Sequence, residues 1–194
     1  AKKGVRKMQR NETVLRMIVL AFLIALGVVI SPILRVEGMC PMAHFINIVC
    51  AVLMGPMDAF LCALLIGIIR MMFLGIPPLA LTGAIFGAGL SGILFKLSKG
   101  KIWCAVIGEI IGTGIIGAII SYPIMALFWG RTGLTWLFYV PSFIAGTLIG
   151  GSIAFGFLVA IRKTGVLANM QRKLGSKIIT EPATVVYSDK VVHQ

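Results

Sequence analysis

The chain has 194 residues, of which 59% are hydrophobic and only 12% are charged. A soluble domain has about 45–50% apolar and about 25% charged residues, and a disordered chain has low hydrophobicity, so the composition excludes both classes. A membrane-spanning helix needs about 20 apolar residues, which leaves room for about six or seven spans. We therefore expect an all-α polytopic membrane protein, folded as one compact bundle.

Prolines and charged residues divide the chain into six apolar runs, each of which predicts a membrane span. These runs are Val14–Ile30, His44–Met54, Met57–Leu74, Leu79–Leu97, Ile102–Phe128 and Trp136–Ile161. The fifth run is interrupted at Tyr122-Pro123. The second is short, because only 14 residues separate Pro41 from Pro56. They make about 21 Å of helix against a core of roughly 30 Å, so this span must be sheltered by its neighbours or extended by loop residues.

The net charge of +12 is distributed unevenly along the chain. Six spans put both termini on one side, and that side then carries 15 of the 18 Lys and Arg residues, leaving Arg35, Arg70 and Arg131 on the other. Because positive loops stay inside, both termini are predicted to be cytoplasmic. The same rule accounts for the basic balance, so no nucleic-acid partner is implied.

The charge pattern also divides the chain into three parts. We expect a basic cytoplasmic N-terminus over residues 1–13, a six-helix transmembrane domain over 14–163 and a basic polar tail over 164–194. The first run has no small-residue cleavage site, which favours an uncleaved helix over a signal peptide. The tail is expected to be a solvated cytoplasmic end; the alternative is that it lies along anionic lipid.

Motifs of soluble catalysis are missing from the sequence. It has no GxSxG, HExxH or Walker lysine motif, so no catalytic residue, enzyme activity or cofactor is predicted. The four cysteines have neither CxxC nor Cys/His spacing, so no disulfide or metal site is predicted. The pairs Gly83/Gly87, Gly108/Gly112 and Gly146/Gly150 are expected to be packing seams within the chain.

Glu109 is the clearest polar residue at membrane depth. It lies in a glycine-rich part of the fifth run, and Thr113 follows four residues later on the same helix face. A carboxylate there must face a cavity or a partner, or be neutral, because an uncompensated charge in the membrane is costly. Two interpretations remain open: a ligand-binding group, or a structural hydrogen bond to a neighbouring helix.

Four further polar residues lie near span ends. His44 and Asn47 open the second span three residues apart, so they share a face; they either contact a ligand or bond to the adjacent loop. Arg70, near the outer end of the third span, either extends to lipid headgroups or enters a pocket. Asp58 begins the third span, where a carboxylate stabilises a helix N-terminus.

Aromatic residues surround the outer connection between the fifth and sixth spans. Tyr122, Trp129, Trp136 and Tyr139 fit an aromatic belt at the membrane interface. Together with two nearby prolines they also fit a lid over an aromatic ligand.

Several sequence strings resemble a known family. A small six-span protein with cytoplasmic termini is similar to the substrate-binding (S) component of an energy-coupling factor (ECF) vitamin transporter. Ala21 and Ala25 match that family's AxxxA motif. The strings His44-Phe45-Ile46-Asn47-Ile48-Val49, Gly67-Ile68-Ile69-Arg70, Glu109-Ile110-Ile111-Gly112-Thr113-Gly114 and Tyr122-Pro123 resemble the ThiW branch, over about residues 14–163.

The resemblance implies a substrate and partners. The ThiW branch is assigned to uptake of hydroxyethylthiazole, the thiazole precursor of thiamin. The implied partners are a transmembrane coupling subunit, which docks on Ala21 and Ala25, and two cytoplasmic ATPase subunits. The implied ligand is a small heteroaromatic, with hydrogen bonds from Glu109, His44 and Asn47 and stacking from Tyr122, Trp136 or Tyr139.

Two other classes of function remain open from the sequence. One is an integral membrane protein without a transport role, which would not co-purify with an ATPase module. The other is an S component for a different small vitamin or a metal. A metal site needs more ligands than His44, Glu37 and Glu109 supply.

Overall fold

A computed structural model describes residues 2–33, 35 and 39–181 of the chain. It contains eight α-helices in this part and no strands. They are α1 (Lys2–Ile30), α2 (Pro41–Met54), α3 (Pro56–Leu74), α4 (Leu79–Leu97), α5 (Ile102–Ile111), α6 (Ala118–Trp129), α7 (Val140–Lys163) and α8 (Val166–Lys173). A π-helical segment, Gly112–Gly117, joins α5 to α6. The predicted all-α bundle is confirmed.

Five helical stretches in the described residues are long and apolar enough to cross a membrane, and α2 is a shorter apolar helix. The fourth of these stretches runs without a break from Ile102 to Trp129. The predicted interruption at Tyr122-Pro123 is therefore wrong, since Pro123 lies inside α6 and the irregular turn is the earlier π-helical segment. The last span begins at Val140 and not at Trp136, because Pro141 occupies the first turn, where a missing N–H is harmless.

The spans run alternately up and down. Arg16 of α1 donates hydrogen bonds to the backbone oxygens of Met54, which ends α2, and Leu174, which follows α8. It also pairs with Asp58 at the start of α3. The described parts of both terminal regions therefore meet at one end of the bundle, which we call the basic end. Arg70 and the start of α4 lie at the opposite end.

Helix α2 lies at the centre of the bundle, and 12 of its 14 residues are buried. A helix leaves its last four carbonyl groups without intrahelical partners, and these must be satisfied inside a membrane. Here every one is bonded: Ala51 by the Gly55 N–H at 3.0 Å, Val52 by Gln171 Nε2 at 2.9 Å, Leu53 by the Ser176 hydroxyl and Met54 by Arg16. Thus α2 can end inside the protein, because other parts of the chain satisfy its last carbonyl groups.

Two of those caps come from the C-terminal region, so the predicted solvated tail is wrong for its first part. Leu167 and Gln171 of α8 are fully buried, and Leu174 is nearly so. The Gln171 side chain also accepts a 2.7 Å hydrogen bond from the Thr180 backbone N–H. The sequence looks polar here because the contacts with α2 are made by a few residues on one side of α8. Residues 182–194 of the predicted tail, and Glu37, lie outside the described residues.

Glycines allow the spans to approach closely, and all three predicted glycine seams are confirmed as contacts within the chain. A methyl group on Gly108 would lie 2.6 Å from the Ser91 Cα of α4, and one on Gly112 would lie 2.5 Å from the Phe86 backbone oxygen. On α7, a methyl group on Gly150 would lie 2.1 Å from the Pro41 oxygen. These distances are shorter than real Cβ contacts, so α4, α5, α7 and α2 pack backbone against backbone.

We predict that Gln171→Ala destabilises the fold. The substitution leaves the Val52 carbonyl and the Thr180 N–H without their partner, and a buried unsatisfied group costs about 1–3 kcal/mol. The measurement is thermal unfolding of the purified protein in detergent, with Asn169→Ala as the control, since Asn169 is exposed on the same helix. Equal melting temperatures for the two variants would show that this cap contributes nothing.

Candidate functional site

The site is built around the carboxylate of Glu109, which is fully buried in the last turn of α5. Three side chains contact one of its oxygens, Oε1. His44 Nδ1 lies 2.9 Å from it, Asn47 Nδ2 donates at 2.9 Å and the Thr113 hydroxyl donates at 3.1 Å. The other oxygen, Oε2, has no hydrogen-bond partner within the described structure.

Local geometry explains why these groups meet. Pro41 starts α2, so His44 and Asn47 fall one turn apart on the face turned toward α5. Thr113 lies in the π-helical segment, four residues after Glu109. Asn47 also donates to the Ala84 backbone oxygen of α4 at 3.3 Å. The structure thus brings together the predicted residues Glu109, His44, Asn47 and Thr113, and joins α2, α4 and α5 through them.

The hydrogen-bond chemistry of this cluster orients the imidazole. A carboxylate only accepts hydrogen bonds, so Nδ1 of His44 carries the proton that faces Glu109. In the neutral ring, Nε2 then has a lone pair available to accept a hydrogen bond. The Thr113 oxygen likewise keeps an acceptor position after donating its proton. Both residues can therefore accept a hydrogen bond from a ligand hydroxyl.

A cavity of about 70 Å³ lies beside the cluster, at the end of the bundle opposite the basic end. His44 and Thr113 form part of its wall, and Phe143 of α7 and Met125 of α6 form an apolar side. Because one water needs roughly 10–15 Å³ by the same measure, the space suits a small molecule. An apolar wall with a few convergent polar groups is typical of a small-ligand site.

Two arginines also line this cavity. Arg70 is only 3% exposed, so it does not extend to lipid headgroups. Its Nη2 lies 3.3 Å from Cys40 Sγ, and its Nε has no hydrogen-bond partner in the residues described. Arg35, in the connection before α2, is exposed and lies on the same wall.

The three aromatic residues predicted to contact a ligand lie outside the cavity wall. Tyr122 and Trp136 pack against each other with ring centroids 5.0 Å apart, and Trp136 is 57% exposed. Tyr139 is buried against Phe143, with centroids 6.1 Å apart. Tyr139 therefore packs against the wall residue Phe143 on the side away from the cavity. Tyr122 and Trp136 still fit either a lid or an aromatic belt at the membrane interface.

Sequence reasoning missed several wall residues, among them Arg35, Cys40, Met125 and Phe143. Arg35 carried a usable signal, since it is one of the three basic residues on the sparsely charged side. Phe143 and Met125 look like the other apolar residues of their spans, and only their packing identifies them. No group of three or more His, Cys, Asp or Glu side chains in the described part of the chain is arranged to hold a metal.

We predict that Gly87→Ala disrupts the cluster whereas Gly89→Ala does not. A methyl group on Gly87 of α4 would lie 1.9 Å from the Thr113 hydroxyl oxygen and 2.8 Å from the Glu109 carboxyl carbon. On Gly89 it would meet only Phe60, at 3.9 Å. Alanine is favoured over glycine in helices by up to about 1 kcal/mol. Thermal unfolding should therefore show a lower melting temperature for Gly87→Ala and an unchanged or higher one for Gly89→Ala; the same response in both would contradict the close contact.

No curated protein and no solved structure matches the chain. One family model does match it, over residues 17–164, and its description is thiamine-precursor transporter protein (ThiW). The match covers every span except the N-terminal part of α1, and it includes the Glu109 cluster and the cavity. The chain therefore belongs to the ThiW family of thiamine-precursor transporter proteins.

Proposed function

We propose that this protein is the substrate-capture subunit of an ECF-type transporter and that its ligand is hydroxyethylthiazole. Membership of the ThiW family supports a thiamine precursor as the substrate class. The observation that carries the proposal is the Glu109 cluster beside a small, partly apolar cavity. Such a subunit binds its ligand and releases it without chemical change.

The chemistry of hydroxyethylthiazole matches the wall of this cavity. The ligand hydroxyl donates to His44 Nε2 or to the Thr113 oxygen, both of which are held by Glu109. The thiazole ring, flat and apolar on its faces, packs against Phe143 and Met125. Glu109 thus acts through His44 and Thr113: its hydrogen bonds to both side chains leave their acceptor atoms available to the ligand.

The direction of transport follows from the charge distribution. The basic end carries most of the Lys and Arg residues, so we assign it and both termini to the cytoplasm. The cavity is at the opposite end, where it collects the precursor from outside a bacterial or archaeal cell. Release inward then requires coupling to a partner that uses ATP.

We assign the docking of that partner, a transmembrane coupling subunit carrying two ATPases, to the outer face of α1. Ala21 and Ala25 are exposed, so they do not pack against the rest of the chain. Packing within the chain would have been the alternative role for this pair. They lie one turn apart and leave a shallow surface that admits another helix closely. Leu23, two residues from each alanine, is buried and holds the opposite face of α1 against the bundle.

Glu109→Gln is expected to weaken hydroxyethylthiazole binding about tenfold or more while the protein still folds. The amide keeps the shape but removes the charge that orients three donors, and a charge-assisted hydrogen bond is worth about 1.5–3 kcal/mol. Isothermal titration calorimetry measures the dissociation constant, with Glu12→Gln as the control because Glu12 is exposed at the basic end. Unchanged affinity in Glu109→Gln would make Glu109 purely structural.

Ala21→Leu with Ala25→Leu is expected to separate ligand binding from transport. The added bulk blocks close approach at α1 but is remote from the cavity. The isolated double variant should bind hydroxyethylthiazole normally, yet fail to co-purify with the coupling module and fail to support uptake in cells. Ala160→Leu, on an exposed position of α7, is the control. Normal assembly and uptake in the double variant would show that the docking surface lies elsewhere.

A further inference from the structure

Arg70 is a buried cation that has no counterion among the residues that the structure describes. It is 97% buried, given its 3% exposure, and lines the cavity. Its only hydrogen-bond partner among the described residues is the Cys40 sulfur, and its Nε has none. No carboxylate in the described part of the chain forms an ion pair with it.

This arrangement is costly for the protein on its own. Arginine stays protonated in proteins, so it cannot relieve burial by losing its charge. Removing a charge from water without pairing it is strongly unfavourable. Glu109 does not provide the pair, because its only ion-pair contact among the described residues is with His44. Arg35 adds a second positive charge to the same wall.

We propose that the cavity takes its heteroaromatic ligand in an anionic form, with a carboxylate on the ring opposite the hydroxyethyl arm. This inference rests on the proposed function, because the hydroxyl is placed at His44 and the ring at Phe143. The guanidinium of Arg70 then binds the carboxylate, with Arg35 close by. Arginine is suited to this role since its planar donors match the two oxygens of a carboxylate.

The choice of a ring carboxylate follows from two chemically different parts of the wall. One part offers hydrogen-bond acceptors, at His44 Nε2 and the Thr113 oxygen, and so favours a hydroxyl. The other part, at Arg70 and Arg35, offers donors and positive charge, and so favours an anion. A ligand that carries both groups on one small ring satisfies both parts, whereas neutral hydroxyethylthiazole brings no negative charge to Arg70.

The experiment compares three ligands by calorimetry on the purified full-length protein. They are hydroxyethylthiazole, its 2-carboxylate and its 2-carboxamide, which has nearly the same shape but no charge. We expect the carboxylate to bind about tenfold or more tightly than the carboxamide. Arg70→Gln should abolish that preference, and thermal unfolding in detergent verifies that the variant is folded. Arg131→Gln removes a charge outside the cavity wall and should keep the preference.

Each outcome decides between the two proposals. If hydroxyethylthiazole binds but the carboxylate is no tighter than the carboxamide, the anionic ligand is overturned and the proposed function stands. If the carboxylate binds and hydroxyethylthiazole does not, the anion site is supported and hydroxyethylthiazole is overturned as the substrate. A preference that survives in Arg70→Gln overturns the role of Arg70. Binding of none of the three ligands overturns both proposals.

Discussion

The arrangement of this bundle depends on burying one carboxylate. Glu109 is fully enclosed, and a charge enclosed in a membrane protein needs hydrogen-bond donors at close range. Its three donors come from α2 and the π-helical segment, and Asn47 extends the network to a backbone oxygen of α4. Moving α2 would remove two of the three donors, and moving the π-helical segment would remove the third. The network therefore fixes the relative positions of the helices that form the cavity.

The short helix α2 makes this network possible. It carries two of the three donors, and its end is capped within the protein by Gln171, Ser176 and Arg16. A longer helix would place this end in the membrane interface, where water satisfies the carbonyls. Instead, contacts at the basic end hold α2 in place while its opposite end faces the cavity. One buried helix thus extends from the caps at the basic end to the cavity at the other end.

Much of the site was predictable because polar residues are conspicuous in an apolar chain. Glu109 and Thr113 were expected on one face, as were His44 and Asn47, from their spacing alone. The sequence did not show that both pairs converge on one carboxylate oxygen, because that contact depends on the packing of α2 against α5. The burial of Gln171 was missed for the same reason, and for Arg70 the sequence left a pocket and the lipid headgroups equally open. In a polar tail or at a span end, exposure is the default expectation, and only the neighbouring helices reverse it.

The most direct test is a structure of the protein with hydroxyethylthiazole or its carboxylate bound. The account predicts ligand density between α2, α4 and α7, with the ligand hydroxyl within about 3 Å of His44 Nε2 or the Thr113 oxygen. The Glu109 contacts to His44, Asn47 and Thr113 should remain in place. Ligand density elsewhere in the bundle, with the Glu109 cluster unchanged and the cavity empty, would contradict it.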